Sequence, residues 1–161
     1  MIILKPWTFM VTQKLVDECI RQSTEHGFTR ENADALMFEH VLIWSKIARK
    51  PLNWRHDFIY NNMKIDAKEL PSIYFNIQNG KMQQYRESII QKDLTHFLFY
   101  NSDRDKTKVL IPGDVVTITP LALCDARSII KAALPSDKPQ TEAFVPAEIL
   151  KTLGETFETI N

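Results

Sequence analysis

The chain has 161 residues, equal numbers of basic and acidic side chains, and a hydrophobic share of 44%. That length fits one domain around one core, and zero net charge excludes a protein held to nucleic acid by a global basic field. Four Gly and two Cys leave no glycine-rich phosphate loop and no zinc-ligand spacing, and no Gly-x-Ser-x-Gly elbow occurs. No window has the apolar length of a membrane span, and residues 1–4 meet Lys5-Pro6 too soon for a secretory signal. A cytoplasmic protein without a membrane partner is therefore expected, with Cys19 and Cys124 as buried free thiols. No internal repeat is seen.

Residues 8–25 carry Val11, Leu15, Val16, Cys19 and Ile20 at helical spacing, and Gly27 ends the pattern. Thr29 reads as an N-cap with Glu31 in the first turn, opening a second helix over 29–49 that stops before Pro51. Its apolar face is Ala33, Leu36, Met37, Val41, Trp44, Ile47 and Ala48, with His40 near the centre as a hydrogen-bonded core residue rather than a ligand. Glu39 lies at the edge of that face. A carboxylate against apolar neighbours needs a partner: a salt bridge to Lys46, a backbone contact, or a metal ion.

The stretch 56–69 reads as a β-hairpin. Asn61-Asn62 suits the left-handed positions of a two-residue primed turn, and residues 63–68 alternate apolar and polar. This turn pairs Tyr60 with Met63, Ile59 with Lys64, Phe58 with Ile65 and Asp57 with Asp66. Phe58, Tyr60, Met63, Ile65 and Ala67 share the apolar face; Asp57, Asp66 and Lys68 share the other. Opposed residues have Cβ atoms about 4.5–5.5 Å apart, so two like charges are pressed together. A divalent cation with hard oxygen ligands relieves that repulsion. Between 46 and 68, Lys46, Arg49, Lys50, Arg55, Lys64 and Lys68 face only Asp57 and Asp66, whereas the chain beyond Pro135 is acidic.

Further on, 73–77 reads as a strand, 81–92 as a helix and 96–100 as a dense apolar strand for a sheet centre. Strands at 109–111 and 115–118 flank the turn Pro112-Gly113-Asp114. A helix over 121–134, a loop over 135–141 and a helix over 146–157 complete the expectation.

An acid, a gap, then acid-x-Lys on the next strand resembles the motif of the PD-(D/E)XK nucleases, with Asp57, Asp66 and Lys68 at the three positions. His56 rather than Pro precedes Asp57, and the gap to Asp66 is short. The resemblance covers about 29–100 and implies an α/β fold with a restriction-endonuclease-like core. A mixed central sheet of four to five strands, including the 57–69 hairpin, would be flanked by helices. The whole of 1–161 would be one domain with a C-terminal extension over about 135–161. It implies metal-dependent hydrolysis of DNA, with Mg²⁺ (or Mn²⁺) held by Asp57, Asp66, the Ala67 carbonyl and Glu39. Lys68 would orient water or stabilise developing charge, and Arg55, Lys64, Lys50 and Gln84 would contact phosphates. A homodimer is suggested by analogy alone. The rival expectation is a non-catalytic binding module that keeps the fold. An HNH arrangement has only His56 in its favour, since the turn already explains Asn61 and Asn62.

Overall fold

The computed structural model describes residues 5–25, 34–70 and 74–153; the expected caps at Thr29 and Glu31 and the far end of the last helix lie outside them. A five-stranded mixed sheet has helices on its two faces. Its strands are β1 (Trp7–Met10), β2 (Phe58–Tyr60), β3 (Met63–Glu69), β5 (His96–Ser102) and β6 (Val115–Asp125), in the order β1-β6-β5-β3-β2. Three further strands, β4 (Tyr74–Gln78), β7 (Leu134–Pro135) and β8 (Thr141–Pro146), form a second sheet in the order β4-β8-β7.

The hairpin has the expected register: Tyr60 opposes Met63, Ile59 opposes Lys64 and Phe58 opposes Ile65. Asn61 and Asn62 take φ of 48° and 62°, the left-handed pair that a primed turn requires. β3 then runs parallel to β5, with Asp66 level with Phe97 and Lys68 with Phe99. A parallel pair needs a long crossover, and here it carries β4 and helix α3 (Lys81–Ile90). β5 takes the sheet centre as its composition demands. Phe97, Leu98 and Phe99 are wholly buried, because both faces of a central strand are covered.

Those faces build two cores. On one, Leu98 and Tyr100 meet Phe58, Ile65, helix α1 (Gln13–Glu25) and helix α2 (Met37–Trp44). On the other, Phe97 and Phe99 meet Phe75, Ile77, Met82 and Tyr85, with helices α4 (Ala126–Ala132) and α5 (Ala147–Leu153). β8 and α5, from the part expected as a C-terminal extension, pack in this second core. Cys19 and Cys124 are buried and not joined in a disulfide. Among the described residues no helix is long and apolar enough to cross a membrane.

Several boundaries differ from the sequence reading. Residues 7–10 leave the expected first helix and pair with β6, while the Thr12 hydroxyl accepts from Leu15 N–H at 3.2 Å and starts α1 at Gln13. The second helix ends at Trp44, where Lys46 turns to φ 59°; Arg49 exchanges both backbone hydrogen bonds with Ile59 instead (2.8 and 3.0 Å). Residues 74–78 form a strand that joins β8 rather than the central sheet. Residues 109–111 are not a strand, and 121–125 continue β6 because they pair along β5 instead of coiling. Residues 141–146, which run from the end of the expected loop to the start of the expected last helix, are β8.

Candidate active site

β3 alternation decides what meets here. Met63, Ile65 and Ala67 turn into the α1–α2 core, so Lys64, Asp66 and Lys68 point to the opposite face. Asp57 precedes β2 and donates its N–H to the Ile65 carbonyl at 2.8 Å. Its Oδ2 accepts the Ala67 N–H at 2.8 Å, standing where a longer β2 would offer a backbone carbonyl. The carboxylate is thereby fixed along the edge of β3. Since N–H and C=O of one strand residue leave from the same edge, the Ala67 carbonyl opens on the Asp57 side. Lys68 Nζ stands 3.2 Å from Asp66 Oδ1.

Glu39 comes from α2 and is buried, 9% exposed. Its electrostatic neighbours are Asp57, Asp66 and Lys68; Lys46 is exposed and forms no ion pair with it. Of the alternatives open to the edge carboxylate, the salt bridge to Lys46 is not formed. Glu39 from one helix and Asp57, Asp66 and Lys68 from one hairpin are therefore electrostatic neighbours.

Crowding sets their protonation. Burial first, and then the charges of Asp57 and Asp66, raise the Glu39 pKa well above the ordinary range. Burial first, and then Asp66, push Asp57 up to about 8, against the pull of Lys68 and the Ala67 N–H. For Lys68 burial opposes the ammonium, but Asp66, Tyr85 and Asp57 together outweigh it and the pKa is raised. Lys68 is a cation at neutral pH, fit to hold negative charge rather than to take a proton.

These shifts have a sign. An acid whose folded pKa lies above its unfolded value binds more protons when folded, so its contribution falls as pH rises between the two values. For Asp57 that window runs from the ordinary carboxyl range to about 8, and Glu39 acts in the same direction. Metal-free protein is therefore expected to lose melting temperature steadily from about pH 5 to pH 8, and Asp66→Asn to flatten the slope. Melting curves in EDTA across that range check it; a flat wild-type profile would mean the carboxylates do not interact.

Tyr85 of α3 also belongs to the site, although its place in an apolar stripe marks it only as a core residue. Lys68 Nζ lies 5.8 Å from the centroid of its ring, and the two groups interact electrostatically. Burial raises the phenol pKa, so it stays protonated. Beside it opens a cleft of about 370 Å³, lined by Lys68, Tyr85, Lys81, Tyr74, Asn76 and Gln78. Glu69, next along β3, is taken by Arg104 (2.9 Å), Lys106 (3.0 Å) and the Ser102 hydroxyl (2.7 Å). That pairing holds the segment after β5 against the end of β3.

The expected phosphate contacts are more dispersed. Lys64 Nζ donates to the Lys92 carbonyl at 2.7 Å and faces Asp93 at 4.0 Å. Arg55 donates to Ser88 Oγ at 3.0 Å and lies on Trp54, 4.6 Å from its ring centroid. Lys50 is exposed; Gln84 is exposed on α3, accepts from Lys81 at 3.4 Å and lies outside the cleft lining. His40 pairs with the Gln22 amide, but it is half-buried rather than a core residue. His56 is buried and its Nε2 accepts the Leu52 N–H at 3.1 Å, a loop brace rather than a catalytic ring.

Do these residues suit a divalent cation? Among the described residues, no group of three or more His, Cys, Asp and Glu is placed to hold a metal ion as it stands. Mg²⁺ does not demand one, since it keeps several waters and binds through one or two carboxylates plus substrate phosphates. Asp57 and Asp66, mutually repelling and joined by the Ala67 carbonyl edge, are hard oxygen donors of that kind. The set fits. Comparison with protein-family models, with curated proteins and with solved structures finds no match.

Proposed function

We propose that the protein is a Mg²⁺- or Mn²⁺-dependent hydrolase of DNA phosphodiester bonds, of the PD-(D/E)XK type. The observation that carries this reading is the electrostatic coupling of Asp57, Asp66 and Glu39 with the Lys68 ammonium, a side chain that also lines an open cleft. Asp57, Asp66 and the Ala67 carbonyl would hold the cation, with Glu39 completing the set. A bound cation supplies Lewis acidity toward the phosphoryl oxygens and a more acidic water. Lys68 then offers a fixed positive charge to the phosphate as negative charge develops, in a half-buried setting where such a charge acts strongly. Tyr85 holds the Lys68 side chain over the cleft.

The rival reading, a binding module, has one observation in its favour. Asp57 Oδ2 is already satisfied by Ala67 N–H and Asp66 by Lys68, so the site closes on itself. Incubation with duplex, single-stranded and junction DNA, with Mg²⁺ or with EDTA, separates the two. Cleavage that EDTA abolishes is expected; no cleavage of any substrate favours the binding module.

Glu39→Gln sharpens the assignment. The neutral amide matches a carboxyl that burial keeps protonated in the metal-free protein, so the melting temperature should hardly move. Cation-dependent cleavage should fall about 10–100-fold, as for other residues supporting a metal site. A large loss of stability with cleavage intact would make Glu39 a structural residue only.

A further inference from the structure

The segment between α2 and β2 is braced at Arg49, Leu52 and Arg55. Arg49 is bridged to Ile59, Leu52 N–H is held by His56, and Arg55 N–H by Asn53 Oδ1 at 2.9 Å. The Arg55 guanidinium is anchored to Ser88 on α3. This fixed loop nevertheless holds two large apolar side chains out of the core: Leu52 is 68% exposed and Trp54 70%. Single exposed apolar residues need no explanation. Two of them on a braced turn, where a mobile loop would let them fold inward, do.

The chemistry around them selects the partner. Residues 45–56 contain Lys46, Arg49, Lys50 and Arg55 and no carboxylate; Arg55 faces Glu87 at 3.9 Å, so Lys46, Arg49 and Lys50 supply the charge that selects an anionic partner. With Arg55 over one face of the indole and most of Trp54 exposed, the other face is left to solvent. The loop leads within two residues to Asp57. We infer that residues 51–55 seat an unpaired nucleic-acid base on the Trp54 ring, with Leu52 beside it and Arg49 and Lys50 against the flanking phosphates. A flat ring can stack only on a base that has left the duplex stack, so the substrate class is single-stranded DNA or a locally opened duplex. An anionic lipid surface would also suit Trp with cations, but interfacial binding scales with buried apolar area, and two side chains offer little. The inference rests on the proposed phosphodiesterase reading for its choice of nucleic acid.

The test uses the full chain in EDTA, so that binding is read without cleavage. A short single-stranded oligodeoxynucleotide, a duplex of the same length and phosphatidylserine vesicles are each titrated while tryptophan fluorescence is followed. The single strand is expected to quench the emission and bind more tightly than the duplex. Trp54→Ala should weaken that binding about tenfold or more, the loss of one stacked base, with a melting temperature within a degree or two of wild type; Trp54→Phe should retain most of it. Equal affinity in wild type and Trp54→Ala, preference for the duplex, or quenching by vesicles alone would overturn the inference. The two readings fail separately. Trp54-dependent binding without Mg²⁺-dependent cleavage sinks the hydrolase and keeps the loop; cleavage and binding both indifferent to Trp54→Ala do the reverse.

Discussion

Mg²⁺ or Mn²⁺ at about a hundredfold excess over Kd is expected to stabilise the wild-type protein by about 2.7 kcal/mol, since a ligand that binds only the folded state shifts the equilibrium by mass action. For a chain of 161 residues that is a rise in melting temperature of about 5–11 °C. The effect originates in the pairing of Asp57 with Asp66. Asp57 is held at β3 by the Ala67 N–H, burial and the neighbouring carboxylate oppose its ionisation, and a cation reverses both penalties. Asp66→Asn should abolish the response yet melt close to, or above, the metal-free wild type. Removing the Asp66 charge removes the second cause that raises Asp57, after burial, and leaves the Lys68 ammonium to Asp57. Differential scanning fluorimetry with and without each cation measures both proteins. A wild-type curve indifferent to millimolar Mg²⁺ and Mn²⁺ would leave the binding module as the better reading.

The hairpin was legible because its information is local. A two-residue Asn turn fixes the register, and a one-residue slip would have sent Phe58 and Ile65 to solvent. That register brings Asp57 close to Asp66, although the strand pairing stops at Phe58 with Ile65 and Asp57 bonds to Ile65 and Ala67 rather than pairing with Asp66. Glu39 was legible as a misfit at the rim of an apolar face, although only the fold shows that it turns from Lys46 toward the hairpin acids. What local pattern cannot carry is long-range pairing. β8 is short, and its partner β4 lies some sixty residues earlier, so Ala143 and Val145 alternate inward with no nearby signal. Residues 121–125 could coil or extend; pairing with the central β5 decides for strand. Tyr85 was legible only as a core side chain, because periodicity reports which face a residue takes and says nothing of a hydroxyl meeting Lys68 there. The Trp54 loop was invisible for a similar reason: its bracing by His56, Asn53 and Ser88 joins residues that no repeat connects.

Lys68→Ala is expected to keep the cation response and lose hydrolysis. The ammonium is not among the oxygen donors, and its removal leaves Asp66 without its 3.2 Å partner, so the metal-free protein should be less stable and gain at least as much from Mg²⁺ as wild type. Cleavage should fall about 10²–10³-fold, the usual effect of deleting one fixed donor aimed at developing charge. Lys68→Met fills the same space without the charge and guards against a cavity beneath Tyr85. If Lys68 acts on the transition state, both variants slow single-turnover cleavage while Kd for DNA, measured with EDTA, changes little. A loss confined to binding, with the single-turnover rate at saturation intact, would make Lys68 a phosphate contact and remove it from the chemistry. Full cleavage by either variant would be harder to accommodate, because Lys68 is the cation that the fold places against Asp66 and in the lining of the cleft.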